Sequence, residues 1–239
     1  MTNPKLLLTL LLSIPPGLQA AELSVLVDTS TEMPMARFES GRLADGIHKD
    51  IGQALAGAMG RTAVFVALPR KRIVRALEDG GADVLCSYVP EWLPGSFRWS
   101  QAFIPITEVL VTARSAERPR SVVDVSGQAI GTVLGYSHPE LDEALGKGFI
   151  RDEGVSSLAN LRKLAVGRLQ HVVTAKLFLD YRQKLGDPAL VLHPPLAVKS
   201  YMGQCAVSPK GKVTLAEVDK AIERLIADGA IATIFARYQ

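Results

Sequence analysis

From residue 23 onward, short apolar runs alternate with segments whose apolar residues recur at helical spacing. Leu23 to Val27 is an apolar run rich in branched residues, typical of a buried strand, and it ends at the polar cluster Asp28 to Thr31. Apolar residues then recur at i, i+4 spacing over 47–59, and the run ends at Gly60, as amphipathic helices commonly do. These patterns predict a first strand followed by a first helix.

The alternation of strands and helices continues along the chain. Strands are predicted over 63–68, 83–86, 104–111, 129–134, 169–174 and 203–207. Helices are predicted over 72–77, 139–145, 158–166, 215–227 and 231–238. A polar, Arg-rich stretch from Arg114 to Arg120 separates the first group of elements from the second. We therefore predict an α/β protein of two lobes, each a mostly parallel sheet flanked by helices, with ligands bound where the strands end at their carboxyl side.

The N-terminus indicates the compartment. Lys5 is followed by the apolar run Leu6 to Ile14 and by small residues that end at Ala20 and Ala21. This order is typical of a secretory signal peptide, and the run is shorter than the roughly 20 residues that span a bilayer. We expect residues 1–21 to be a signal peptide and the mature chain to be a soluble periplasmic protein that is not inserted in a membrane.

Composition excludes several classes of protein. Of the 239 residues, 48% are hydrophobic and 21% are charged, and the formal net charge is +3. This is ordinary globular usage, without the dense basic cluster that nucleic-acid binding requires. The four histidines have no metal-ligand spacing, and His48 and His171 are expected on helix or strand surfaces. We expect no metal, no cofactor and no nucleic-acid partner.

Several segments, in order, resemble the bacterial extracellular solute-binding proteins of family 3, which serve mainly amino-acid ABC importers. The matching segments are Met33-Pro34-Met35, Asp45 to Ile51, Arg75 to Val84, Trp99 to Phe103, Val125 to Gly131, Ala221 to Gly229 and Ile234 to Tyr238. The resemblance implies the type II periplasmic-binding-protein fold, with two crossover hinge strands and lobes that close on a small solute. It places lobe one at 22–110 and 200–239, and lobe two at 111–199.

Two departures from the family concern the ligand. The loop 87–95 lacks the Arg that clamps an α-carboxylate in relatives. The position of the Asp that pairs with an α-ammonium falls on Ala175, which Lys176 follows. The resemblance therefore implies a receptor whose ligand differs from an ordinary α-amino acid.

Other residues could replace the missing groups. Arg70, Ser137 and Lys176 would bind a carboxylate or a similar anion, and Ser137 aligns with the family's carboxylate-binding Ser or Thr. Each also has a structural interpretation, because Arg70 could be a solvated residue at a helix start and Ser137 a helix cap. The remaining candidate ligand-binding residues lie in the two loops after predicted strands: Ser87, Tyr88, Trp92, Gly135 and His138. Tyr88 and Trp92 would cover a flat ligand, or else cap the core of lobe one.

The topology that the family implies makes the strands of Cys86 and Cys205 neighbours, so the two could form a disulfide in an exported protein, or else be two buried thiols whose geometry does not suit a bond. The function that we predict is a monomeric receptor for a small polar, carboxylate-bearing solute, with an inner-membrane ABC permease as its partner and with no catalytic residues. Two alternatives stay open: a sensor for a membrane partner, or an enzyme resembling cyclic-acid dehydratases that uses Glu91, Glu108 or His138 as acid or base.

Overall fold

The computed structural model describes residues 20–186 and 188–238. The predicted signal peptide, residues 1–21, lies outside the described residues except for its last two. The helices are α1 (Ile47–Ala58), α2 (Arg70–Glu78), α3 (Pro139–Leu145), α4 (Ser157–Ala165), α5 (Lys176–Leu185), α6 (Leu215–Ala227) and α7 (Ala230–Ala236). The strands are β1 (Glu22–Asp28), β2 (Arg37–Glu39), β3 (Arg42–Asp45), β4 (Thr62–Leu68), β5 (Val84–Tyr88), β6 (Arg98–Trp99), β7 (Ile104–Thr112), β8 (Ala129–Val133), β9 (Ile150–Gly154), β10 (His171–Ala175) and β11 (Leu196–Val207).

One curled sheet runs through the molecule in the order β4-β1-β5-β11-β7-β10-β8-β9, with β6 paired to β11. Two groups of neighbouring strands are parallel. In one group β1 pairs with β4 and β5, and in the other β8 pairs with β9 and β10. The pairs of β11 with β5 and β7, and of β7 with β10, are antiparallel. The predicted α/β class, with mostly parallel sheets flanked by helices, is confirmed.

The apolar cores divide into two groups, and these define the lobes as we use the terms. The first lobe consists of β1 to β6 with α1, α2, α6 and α7, and the second of β8 to β10 with α3 to α5. In the first lobe, Leu23 and Leu55 pack with Phe235 on one face of the sheet, while Leu26 and Leu77 pack on the other. The second lobe likewise has separate apolar clusters around Leu161 and Leu141. The central strands of each lobe are buried on both faces, which explains why their sequences are nearly continuous apolar runs.

Strands β7 and β11 connect the lobes and pair with each other from Ile104, opposite Gly203, to Leu110, opposite Leu196. The chain therefore leaves the first lobe along β7 and returns along β11. The exact lobe boundaries near residues 110 and 200 stay predictions. Within the described part of the chain, no helix has the length and apolar character needed to cross a membrane.

A disulfide joins Cys86 of β5 to Cys205 of β11, with the sulfur atoms 1.97 Å apart. The two residues are directly paired in the antiparallel ladder. The bond thus joins two strands that are distant in sequence, and it lies immediately before Ser87 and Tyr88, the last two residues of β5, which line the candidate site.

Candidate functional site

A cavity of about 170 Å³ lies between the lobes, where the strands end at their carboxyl side. The first lobe contributes the residues that follow β1 and β5 and the start of α2, and the second lobe contributes the loop between β8 and α3. Strand β7 forms one wall with Ile104 to Glu108. This is the position that the strand order predicts for a ligand site.

Arg70, the first residue of α2, extends across the cleft. Its Nη2 donates to the carbonyl of Trp92 at 2.8 Å, and its Nε donates to the carbonyl of Gly135 in the second lobe at 3.3 Å. The guanidinium also lies over the rings of Tyr88 and Tyr136, at 4.8 and 5.2 Å from their centroids. A cation at the N-terminus of a helix opposes the helix dipole, so these cross-cleft contacts explain why arginine is favourable here.

Asp28 is a buried carboxylate at the end of β1, with 1% of its surface exposed. It accepts hydrogen bonds from the backbone N–H and the hydroxyl of Ser30 and from the hydroxyl of Tyr88, and it lies 3.9 Å from Arg70 Nη1. Ser30 in turn contacts the hydroxyl of Tyr136 across the cleft at 3.3 Å. Asp28 therefore balances the charge of Arg70 and orients the hydroxyls around it.

Burial raises the pKa of Tyr136 to about 12, and it raises the pKa of Tyr88 well above its usual value. Desolvation is the main cause for both phenols, because it disfavours the anion more than the guanidinium of Arg70 favours it. Both tyrosines are neutral at physiological pH and offer the cavity a hydroxyl and an aromatic ring.

Glu32 makes a second contact between the lobes. Its carboxylate accepts hydrogen bonds from the hydroxyl of Ser156 at 3.0 Å and from the backbone N–H of Leu158 at 2.8 Å. Leu158 is in the first turn of α4, where N–H groups have no partner within the helix. A carboxylate from the first lobe thus complements the N-terminus of a helix in the second.

Glu108 of β7 and His138, which precedes α3, form a buried pair. Nδ1 of His138 lies 2.8 Å from Oε1 of Glu108, and the side chains are 4% and 9% exposed. The pair lines the cavity. Carboxylate and imidazole together can exchange or accept a proton, so this is the part of the site best suited to acid–base chemistry.

Several buried polar atoms of the cavity lining have no hydrogen-bond partner among the described residues. They are Ser87 Oγ, Trp92 Nε1, Glu108 Oε2, His138 Nε2 and Thr174 Oγ1. Buried polar atoms in proteins are nearly always paired, because desolvation without a hydrogen bond is costly. The lining is therefore suited to a ligand that both donates and accepts hydrogen bonds.

The backbone is unusual at two predicted site residues. Ser87 has a φ of 68°, which few residues other than glycine adopt, and such conformations concentrate at functional sites. Gly135 has a φ of 81°, and a Cβ there would lie 3.3 Å from Cγ of Arg70. Glycine at 135 therefore permits both the turn after β8 and the close approach of the arginine.

The predicted site residues fall into two groups. Those that line the cavity are Arg70, Ser87, Tyr88, Trp92, Ser137 and His138. Gly135 contributes its carbonyl to Arg70. Lys176 lies outside the cavity, where it is exposed and pairs with Asp180 at 2.6 Å. The lysine is the first residue of α5, and the i, i+4 pair holds its ammonium on the outer face of that helix.

The candidate acids and the histidines differ in their exposure to solvent. Glu91 is exposed, whereas Glu108 and His138 are buried in the cavity lining. The expectation that His48 and His171 lie on surfaces is wrong, since they are 6% and 2% exposed. His48 lies on the buried side of α1, and His171 is held by Thr112 and Gln128. Within the described residues, no cluster of three or more histidine, cysteine or acidic side chains could hold a metal ion.

Sequence reasoning missed some residues of the site, namely Asp28, Ser30, Glu32, Tyr136 and Thr174. Two signals pointed to the first three: the polar cluster at the end of β1, and the rule that ligands bind where parallel strands end. The pairing of Glu108 with His138 had no such signal, because it joins residues 30 positions apart on different elements.

Comparison with known proteins identifies the architecture. The family model of the bacterial extracellular solute-binding proteins, family 3, matches residues 23–239. No curated protein matches the chain by sequence.

Solved structures share the fold at low sequence identity. An ancestral arginine-binding protein bound to arginine has a TM-score of 0.75 and 20% identity, with 91% of this chain and 98% of that chain covered. The ancestral amino acid-binding protein AncCDT-1, a precursor of cyclohexadienyl dehydratase, has a TM-score of 0.74 and 19% identity, with 91% and 95% covered. AbpA, an amino acid ABC transporter substrate-binding protein from Streptococcus pneumoniae bound to L-arginine, has a TM-score of 0.70 and 15% identity, with 91% and 94% covered. At these identities the likeness establishes the type II periplasmic-binding fold.

Proposed function

Since the chain belongs to the bacterial extracellular solute-binding proteins of family 3, we propose that it is a periplasmic receptor. It captures a small polar solute that bears a carboxylate, by closing its cleft, and it delivers this solute to an ABC importer in the inner membrane. It acts as a monomer and leaves the solute chemically unchanged. Membership in this family and the fold support the binding of a solute in general. The residues that line the cavity support the kind of solute.

The observation that supports this proposal is a cavity between two lobes whose side chains contact each other directly across the cleft. The contacts are Arg70 with Gly135, Ser30 with Tyr136, and Glu32 with Ser156 and Leu158. A solute that pairs with polar atoms of both lobes binds only when the cleft is closed. Solute binding and closure are therefore one equilibrium, which is the way a receptor reports occupancy to a partner.

The carboxylate of the solute is assigned to the side of the cavity formed by Arg70 and Ser137. A guanidinium has five N–H donors, and the described contacts of Arg70 with two carbonyls leave donors for a ligand. Ser137 lines the cavity next to Tyr136, whose ring faces the same guanidinium. A charge-assisted hydrogen bond to arginine is about twice as strong as a neutral one, so this side favours an anionic group.

The test is a ligand screen on the purified mature protein, with thermal unfolding and titration calorimetry as readouts. Amino acids, dicarboxylates, cyclic acids and polyamines are compared. A solute present at 100 times its dissociation constant adds roughly 2.7 kcal/mol to the free energy of unfolding. Stabilisation by compounds with a carboxylate supports the proposal, and a screen in which only compounds without a carboxylate stabilise the protein contradicts it.

An enzymatic function has one observation in its favour, which is the buried Glu108–His138 pair facing the cavity. Such a pair could move a proton on a bound cyclic acid, as the dehydratase alternative requires. Recovery of the bound compound decides between the functions. After prolonged incubation with the protein, mass spectrometry finds the solute intact if the protein is a receptor, and finds it converted if the protein is an enzyme.

A further inference from the structure

The guanidinium of Arg70 is surrounded by acceptors from both lobes. Each of its three nitrogens faces a different oxygen. Nη2 donates to the carbonyl of Trp92 at 2.8 Å, Nε donates to the carbonyl of Gly135 at 3.3 Å, and Nη1 lies 3.9 Å from Oδ2 of Asp28. The side chain of Arg70 is 12% exposed. A guanidinium so far from water is stable only where acceptors and a counter-charge surround it, so these groups form a guanidinium site.

Two aromatic rings complete the guanidinium site, one from each lobe. The central carbon of the Arg70 guanidinium lies 4.8 Å from the ring centroid of Tyr88 and 5.2 Å from that of Tyr136. Both distances are within the roughly 6 Å at which the face of a ring attracts a cation. Rings together with carbonyl acceptors favour a flat cation with several N–H donors over a compact ammonium.

Contacts that do not involve Arg70 hold the guanidinium site in shape. The hydroxyl of Tyr88 donates to Oδ2 of Asp28 at 3.3 Å. Ser30 donates to Oδ1 of Asp28 through both its backbone N–H and its hydroxyl, and this hydroxyl lies 3.3 Å from that of Tyr136. The carboxylate and both rings should therefore keep their places when the side chain of Arg70 is removed.

Arg70 differs from the two cations that follow it in the first turn of α2. Lys71 and Arg72 are exposed, so water and salt screen their charges. Among the described residues that line the cavity, Arg70 is the one lysine or arginine, and the carboxylates of the lining are Glu32 and Glu108. The positive charge of the lining is thus supplied by a single side chain.

We propose that Arg70 is a built-in cation: it occupies the guanidinium site and excludes cationic groups of the solute from it. The inference rests on the proposed receptor function and deepens it, because it states which part of the cavity a cationic group cannot enter. A second cation placed there would lie against a like charge, with Asp28 already balanced by Arg70. The N–H donors that Arg70 has left serve an anionic group instead. Arg70 is therefore a residue that determines specificity.

The first test removes the side chain and returns the missing part as a free compound. Arg70→Ala lacks the portion of arginine that corresponds to ethylguanidinium, so ethylguanidinium chloride is added and thermal unfolding is followed. At ten times its dissociation constant, this compound should raise the melting temperature of the variant by about 3–6 °C and leave that of the wild type unchanged. Ethylammonium, which has the charge without the planar donors, should bind more than about tenfold more weakly.

Two further variants show whether ethylguanidinium binds at this site. Arg72→Ala removes an exposed cation from the same turn of α2, and ethylguanidinium should not stabilise it. Adding Asp28→Asn to Arg70→Ala removes the carboxylate that the compound would face, and it should weaken binding by more than about tenfold. Equal stabilisation of the wild type, Arg70→Ala and Arg72→Ala overturns the inference, because the compound then binds elsewhere.

The second test measures exclusion of a cationic group from the cavity. By titration calorimetry, γ-guanidinobutyrate is compared with its uncharged isostere, in which carbon replaces each nitrogen. The ratio of their affinities should shift by more than about tenfold toward the guanidino compound in Arg70→Ala relative to the wild type. An unchanged ratio overturns the exclusion. If neither compound binds the wild type, the thermal unfolding experiment decides alone.

The outcomes distinguish the inference from the function on which it rests. If no solute binds the wild type but ethylguanidinium selectively stabilises Arg70→Ala, the receptor function fails and the exclusion of solutes fails with it, whereas the guanidinium site stands. If solutes bind and ethylguanidinium has no selective effect, the receptor function stands and the built-in cation is overturned. Should Arg70→Ala not fold alone, its refolding yields with ethylguanidinium and with ethylammonium are compared, and equal yields overturn the inference.

Discussion

The carboxylate of Glu32, in the first lobe, accepts a hydrogen bond of 2.8 Å from the backbone N–H of Leu158, in the second. The hydroxyl of Ser156 donates to the same carboxylate at 3.0 Å. These bonds use N–H and O–H groups at the start of α4, which need an acceptor. Closure of the cleft is thus stabilised by a contact that the protein makes with itself, in addition to any contact with solute.

Glu32→Gln should shift the protein toward the open form. A neutral amide complements a helix N-terminus less well than a carboxylate, and the loss is expected to be about 1 kcal/mol. Small-angle scattering of the solute-free variant should give a larger radius of gyration than that of the wild type, and solute affinity should fall severalfold. The matched control is Glu153→Gln, at an exposed position of β9. A variant with unchanged radius and affinity would show that this contact does not bias closure.

Arg70→Lys should weaken solute binding by about tenfold or more, although it keeps the charge. Lysine lacks the planar fork that lets Arg70 contact two carbonyls and face two rings at once. The control is Arg98→Lys, on the exposed strand β6. Calorimetric titration measures the solute affinity of both variants. Equal solute affinities of the two variants would show that Arg70 does not contribute to solute binding.

Gly135→Ala tests whether the turn after β8 belongs to the binding machinery. Gly127 provides the control, because its φ of 78° is close to the 81° of Gly135, yet a Cβ at 127 meets nothing within 4 Å. Both substitutions should lower the free energy of unfolding by a similar amount, on the order of 1 kcal/mol. The substitution at 135 alone should lower solute affinity, because its methyl group presses on Arg70. If both variants bind equally well, the close approach of Arg70 has no role in binding.

His48 should make the protein less stable in acid. Burial lowers its pKa to about 4 from 6.5, so the unfolded chain takes up a proton that the folded state resists. The stabilising contribution is complete above pH 6.5 and is lost as the pH falls toward 4, at about 1.4 kcal/mol for each pH unit. His48→Gln removes this term, so the difference in unfolding free energy between wild type and variant should change by roughly 3 kcal/mol over that interval. If the free energies of unfolding of the wild type and the variant depend on pH in the same way, the prediction is wrong.

The disulfide between Cys86 and Cys205 should contribute substantially to stability. It closes a long loop, since the two cysteines are 119 positions apart in the sequence, and bonds that close long loops restrict the unfolded chain most. Replacing both cysteines by serine should lower the free energy of unfolding by about 2–5 kcal/mol in urea titrations. Adding reductant to the wild type should have the same effect and should leave the variant unchanged. If reductant also lowered the stability of the variant, its effect on the wild type could not be attributed to the disulfide.

The fold was largely predictable because its strands and helices are defined by local patterns. Burial of strands β1 and β5 on both faces gives continuous apolar runs, and α1 and α6 have regular apolar stripes. The predictions missed the short strands β2, β3 and β6 and also β9 and α5. Strand β9 lies at the edge of the sheet and is polar, whereas α5 begins directly at the end of β10 without a turn signal.

The site was predictable only in part. The cavity lies where strand order predicts a ligand site, and its lining includes Arg70, Tyr88, Trp92 and His138, whose roles in binding stay predictions. Lys176 lies outside this cavity, with its ammonium paired to Asp180, because the direction of a side chain at a helix start depends on the path of the preceding strand. Glu108 was named only as a candidate acid, since nothing local indicates that a residue within a strand will meet a histidine from a distant loop.

The first lobe is built from both ends of the chain, since α6, α7 and the last residues of β11 pack against β1 and α1. During synthesis, residues 22–104 therefore emerge without the partners that cover Leu23 and Leu55. The second lobe, whose strands β8 to β10 and helices α3 to α5 are contiguous in sequence, can assemble its core first. The segment 22–104 must remain incompletely packed until α6 and α7 have been made, so the first lobe completes its core after the second.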